Sequence, residues 1–174
     1  MKTKFLTVIA ATLIATTTLL TAGEPPMKEK KGSPEFERMK SLIGKWAGKI
    51  DMGQGPVDMD VSFRLIAGGS AIEERVFAGT PMEMTTMYYD QNGKLALTHY
   101  CAWGNRPTMV LKSSDRKTIE FDFDAACGID EKKEPHMHSL KISFDSRNKI
   151  TTYCQAVVEG KESPMQPCVL KRVK

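Results

Sequence analysis

"MTTMYYDQNGKLALTHYCAW", residues 84–103, decides the fold. Asn92-Gly93 is a strong signal for a two-residue hairpin turn, because both central positions of that turn need positive φ. The turn predicts that Gln91 faces Lys94, and the register then sets Tyr88 against Leu97, Thr86 against His99 and Met84 against Cys101. Successive strand residues point to opposite faces, so Leu95, Leu97, His99, Cys101 and Trp103 are expected on one face, the apolar and therefore inner one.

The same period of two runs outward in both directions. Val57, Met59, Val61, Phe63 and Leu65 alternate with polar partners, as do Ile119, Phe121 and Phe123, and Leu140, Ile142 and Phe144. Turn signals recur every eight to twelve residues: MGQG at 52–55, AGG at 67–69, AGTP at 78–81, GNRP at 104–107, SSDR at 113–116, ACGIDEKKEP at 126–135, DSRN at 145–148 and EGKESP at 159–164. With the Asn-Gly turn they separate ten segments, which predicts an all-β fold, an up-and-down antiparallel barrel of about ten strands with no free edge. Before it, Phe36, Met39, Leu42 and Ile43 share one helical face, so a short N-terminal helix over 34–43 is expected to plug one end.

In such a meander alternate turns lie at the same end. Met82, Met84, His99, Cys101, Trp103, Cys127, His136 and His138 then fall within a few residues of one rim, at about 3.3 Å per residue. His136 and His138 share the face of Leu140 and Ile142. Imidazole and thiolate suit transition metals, so His99, His136, His138 and Cys101 form a candidate metal set at the barrel mouth. The bland alternative is that these histidines hydrogen-bond rim carbonyls. Glu74 shares the face of Ile72 and Val76, an inward carboxylate that must be hydrogen-bonded by Tyr88 or a histidine, or carry a raised pKa. Tyr88 and Trp103 are expected to form walls, and Arg106 is placed to meet an anionic ligand. The methionines of PMEMTTMYY read as pliable core filler. Four cysteines suggest disulfides if the chain is exported, as its N-terminal residues indicate below. A symmetric loop over 159–164 would set Cys154 opposite Cys168, and Cys101 and Cys127 would bond only if the loop after Phe123 folds back over the mouth.

Gly44-Lys45-Trp46, opening the first strand after a short helix, resembles the Gly-x-Trp signature of the calycins, which include lipocalins and fatty-acid-binding proteins. The resemblance implies a basic residue on the last strand packed across the tryptophan, and Arg172 occupies that place. "GKWAG" with ten strands looks like the nitrobindin-type haem barrels, although a further glycine of that pattern is Ile50 here. "LTHYCAWGNRP" and "HMHSL" look closest to exported bacterial calycin-like barrels without an established function. Over residues 36–173 the resemblance implies an interior pocket and no particular reaction.

Residues 1–22, MKTKFLTVIAATLIATTTLLTA, have the layout of a secretory signal peptide, with Lys2 and Lys4 before an apolar run and small residues at its end. A periplasmic or secreted protein with no stable membrane insertion after cleavage is expected, followed by a flexible linker over 23–33 and the barrel domain over 34–174. Cleavage lowers the formal charge from +4 to +2, and the lysines are interspersed with acids, which disfavours a nucleic-acid partner. The chain carries no Gly-x-Ser-x-Gly, P-loop, His-Glu-x-x-His or dinucleotide-binding pattern. The resulting expectation is an exported barrel binding a small molecule at its mouth, with haem or a transition metal as candidate cofactor. A metal-dependent enzyme using the histidines, and a ligand-free envelope interaction protein, are the alternatives.

Overall fold

The computed structural model describes residues 31–51, 53 and 55–174. The expected signal peptide and most of the expected linker lie outside the described residues. Helix α1, Pro34–Met39, continues as a 3-10 turn over Lys40–Leu42. The strands are β1 Gly44–Asp51, β2 Pro56–Ile66, β3 Ala71–Val76, β4 Met84–Gln91, β5 Lys94–Tyr100, β6 Thr108–Ser114, β7 Thr118–Phe123, β8 His136–Ser146, β9 Lys149–Val158, the two-residue β10 Lys161–Glu162, and β11 Gln166–Arg172. From β1 to β10 each pairs antiparallel with its neighbour in sequence. β11 pairs with both β9 and β1, closing a ten-strand ring with β10 as a stub on β9.

The Asn92-Gly93 turn has φ of 53° and 78°, and Gln91 opposes Lys94. Tyr88 faces Leu97 and Thr86 faces His99, as the sequence predicts. The ladder stops at the Thr85–Tyr100 pair, one step short of Met84 and Cys101.

Around the ring, the inward row contains Trp46, Val61, Phe63, Ile72, Tyr88, Leu95, Leu97, Met109, Ile119, Phe121, Ile142, Ile150 and Leu170, each at most 2% exposed. Helix α1 contributes Phe36 and Met39, and the 3-10 turn Leu42. Ile43, expected on the same face, is 38% exposed, because the helical period ends at Leu42 and the chain there turns to extended backbone. Ser33 caps the helix by accepting from the Phe36 N–H at 3.1 Å, and its own N–H and hydroxyl donate to the Asp90 carboxylate. Arg38 donates to the Ser114 hydroxyl and to the carbonyls of Asp115 and Thr118, tying the helix to the β6–β7 turn.

The plugged end centres on Trp46. Its indole N–H donates to the Leu42 carbonyl at 2.7 Å, and the Arg172 guanidinium lies 4.3 Å from its ring centroid. Arg172 also donates to the carbonyls of Ile43 and Ser41 at 2.8 and 2.6 Å. A side chain at Gly48 would collide with the Val169 carbonyl on β11, so the second glycine of GKWAG permits the close approach of the closing strands.

Candidate functional site

The opposite end is rimmed by the loops after β1, β3, β5, β7 and β9, which is the rim that carries the candidate ligands. Here β8 departs from simple alternation. Met137 pairs with Ala156 and Ser139 with Gln155, so His138 is the extra residue of a β-bulge. The bulge turns Met137, which strict alternation between His136 and His138 would point outward, against the core. It also keeps His136 and His138 side by side, with His136 Nε2 3.2 Å from His138 Nδ1. The Phe123 ring lies against both, 4.6 Å from the His136 ring and stacked 5.3 Å from that of His138.

Tautomers follow from donor counting. His136 Nδ1 lies 2.8 Å from the Glu134 carbonyl, which only accepts, so Nδ1 carries the proton and Nε2 presents a lone pair. The facing His138 Nδ1 must then share either a proton or a cation with it. Glu131 joins them: one carboxylate oxygen and one nitrogen of each histidine lie within 4.8 Å of one another. A turn over Asp130–Lys133 brings Glu131 there, held by the Lys133 and Glu134 N–H groups on the Asp130 carbonyl and by the Asp130 N–H on the Glu134 carboxylate at 2.9 Å. No spacing rule pointed to Glu131, because its place depends on loop conformation; it was legible only as one acid in an acidic loop.

His99 and Cys101 are not part of that group. His99 is 6% exposed, its Nδ1 2.9 Å from the Thr86 hydroxyl, and burial lowers its pKa to about 4. Cys101 lies just past the end of β5, in a turn closed by its N–H to the Asn105 carbonyl and by the Gly104 N–H to its own carbonyl. Burial raises its thiol pKa, partly offset by the N–H groups of Trp103 and Ala102. Because the chain leaves the ladder at Tyr100, alternation no longer applies at Trp103, which is 51% exposed and forms no inner wall. Arg106 is exposed on the same turn.

Deeper inside, Glu74 and Tyr88 meet: the phenol donates to the carboxylate at 2.6 Å. Both alternatives expected for Glu74 therefore hold together. Desolvation raises its pKa to about 6, opposed by hydrogen bonds from Tyr88 and Thr86. Desolvation first, then the Glu74 charge, raises the Tyr88 pKa well above that of a free phenol.

The expected disulfides are absent, since all four cysteines are free thiols. For Cys154 and Cys168 the reason is the turn. The reversal is a tight two-residue turn at Glu159-Gly160, with φ of 53° and 70°, and not a loop centred on Lys161. Cys154 therefore opposes Gln166 and Cys168 opposes Thr152, leaving the thiols on a diagonal. Burial and the nearby Glu74 charge push Cys154 to about 12 and Cys168 to about 11, so both are protonated and unreactive at neutral pH. Cys101 and Cys127 are each half-buried and unbridged. The loop after β7 does fold towards the mouth, where Asn105 Nδ2 donates to the Pro135 carbonyl at 2.7 Å, but Cys127 is taken up in a 3-10 turn over Ala125–Cys127 capped by Asp124.

Among solved structures, the fold is similar to the crystal structure of Rv2717c from M. tuberculosis, with a TM-score of 0.56 and 16% sequence identity, covering 83% of this chain and 100% of that one. At that identity the likeness concerns the fold alone. No protein-family model matches the chain, and no curated protein matches it.

Proposed function

We propose that the protein is an exported ligand-binding barrel that holds a divalent transition metal at its mouth through His136, His138 and Glu131. The observation that carries this reading is the 3.2 Å separation of His136 Nε2 and His138 Nδ1, with a carboxylate within reach. Two nitrogens each about 2.05 Å from a tetrahedral zinc lie roughly 3.3 Å apart, so the pair needs almost no movement to share an ion. The Glu134 carbonyl fixes the His136 tautomer in the manner usual behind metal-bound histidines, and Phe123 fixes both ring planes. Two imidazoles and a carboxylate suit Zn(II) or Cu(II) better than Mg(II) or Ca(II).

Three protein ligands leave a coordination position for a small molecule, which fits the small-ligand partner suggested by the barrel. An ion suits the site better than haem, because both imidazoles address one point while the level below is filled by Leu97, Met109 and Phe121. Export to the periplasm or medium is supported by the layout of residues 1–22.

The test is titration calorimetry of the chelator-stripped protein with Zn(II) and Cu(II). One equivalent is expected to bind, and His138→Ala and Glu131→Gln are each expected to weaken it at least about tenfold. Failure of both ions to bind, or binding unchanged in both variants, would overturn the assignment.

A further inference from the structure

Glu74, Tyr88, Thr86 and His99 form a continuous chain of side chains inside the barrel, separate from the rim histidines. Tyr88 donates its only proton to Glu74 at 2.6 Å. Thr86 stands directly across the β3–β4 ladder from Glu74, where its hydroxyl favours the charged carboxylate, and that hydroxyl lies 2.9 Å from His99 Nδ1. A threonine has one proton to give. When that proton goes to Glu74, His99 Nδ1 must itself be the donor to Thr86, and Nε2 is left with a lone pair. His99 Nε2 makes no hydrogen bond among the described residues. Nor is it sealed, since the enclosed and unpartnered side-chain atom found among them is Asn105 Oδ1.

Adding a proton to Glu74 reverses the two links that run from Glu74 through Thr86 to His99. A neutral carboxyl must donate, and the relay assigns Thr86 as its acceptor while Tyr88 goes on donating to Oε2. Thr86 then donates to His99 Nδ1, which must give up its own proton, and Nε2 becomes an N–H. The protons balance: one enters at Nε2 from water, the Nδ1 proton passes to Thr86, and the Thr86 proton passes to Glu74.

We propose that these four side chains are a relay by which Glu74 sets the hydrogen-bonding character of His99 Nε2. Nε2 accepts from a ligand's hydroxyl or amide N–H when Glu74 is charged, and donates to a carbonyl or anion when Glu74 is neutral. The surroundings of Glu74 support this, because no cation among the described residues holds its charge in place. It faces Phe63 on β2, Thr86 and Tyr88 on β4, and the thiols of Cys154 on β9 and Cys168 on β11. The charged neighbours on its own strand, Glu73 and Arg75, pair instead with Arg64 and Glu83. With Glu74 near 6 and His99 near 4, His99 stays neutral through the interval in which Glu74 takes up its proton.

The experiment is long-range 1H–15N correlation of the His99 ring in the 15N-labelled, chelator-stripped full chain at pH 7.5 and pH 5. The expected result is the Nδ1–H tautomer at pH 7.5 and the Nε2–H tautomer at pH 5. In Glu74→Gln, whose amide donates to Thr86 as a neutral carboxyl does, Nε2–H is expected at both values. In Thr86→Val the tautomer should not change with pH. A wild-type His99 with one tautomer at both values, or a Glu74→Gln protein that follows the wild-type profile, would overturn the relay. Unshifted His136 and His138 resonances report that each variant is folded. Since metal is absent throughout, the outcome is independent of the rim-site assignment.

Discussion

The two ends of the barrel are built from different kinds of residue and differ in what they leave open. At the plugged end Trp46, Phe36, Met39 and Leu42 are packed to 1% exposure or less, under a half-buried Arg172 that hydrogen-bonds the carbonyls of Ile43 and Ser41. At the mouth, a loop carries Glu131 and the start of β8 carries His136 and His138, with nitrogens and oxygens turned towards one another, and Tyr100 and Trp103 lie about half exposed. Among the described residues, the first end leaves no buried side-chain donor without a partner. The other leaves lone pairs converging, which costs stability unless something is bound.

The largest test of this contrast is Trp46→Ala. Losing a ring that is 1% exposed, its bond to the Leu42 carbonyl and the Arg172 stacking should cost about 4 kcal/mol, measured by urea denaturation. Metal affinity at the rim should be unchanged in whatever fraction remains folded. A cost under about 1 kcal/mol would mean that the plug does not hold the barrel closed.

Glu74→Gln should act in the opposite direction. A carboxyl raised from 4.5 to about 6 stabilises the fold least when it is ionised, so its penalty develops as pH rises through that interval and then stays constant. The substitution should add up to about 2 kcal/mol at pH 7.5 and nothing below pH 4.5. His99 works the other way, since its lowered pKa means that stability is lost as pH falls from 6.5 towards 4. Denaturation midpoints of the wild type and Glu74→Gln across pH 4 to 8 would separate the two contributions, and parallel curves would show that Glu74 is not desolvated.

The smallest effect should come from the helix cap. Ser33→Ala removes the acceptor for the Phe36 N–H and the donor to Asp90, at a cost of about 1 kcal/mol with no change at the mouth. A change in metal affinity there would show that the ends are coupled through the strands.

Most of the barrel was legible because strand alternation and two-residue turns are local. The Asn92-Gly93 turn set the register that brings Thr86 to His99 and Tyr88 to Leu97, and the inward placing of Glu74 followed from Ile72 and Val76. The misreadings fall where the chain leaves the ladder. Trp103 lies beyond the last pair of β5, Met137 is displaced by the bulge at His138, and Cys154 misses Cys168 because the turn lies at 159–160. A turn displaced by a residue or two changes which side chains meet across a hairpin while leaving the hydrophobic pattern of each strand unchanged.

The sequence by itself determined that this is an antiparallel barrel, where its strands begin, and which face of most of them is inside. Those properties follow from period-two burial and from the φ requirements of glycine and asparagine, both set by a few adjacent residues. Only the tertiary structure decided that Glu131 meets His136 and His138, that His99 belongs instead to a relay with Thr86 and Glu74, and that the cysteines remain thiols. Each of those outcomes depends on ångström-scale loop and bulge geometry, and on donors counted across strands that are far apart in the chain.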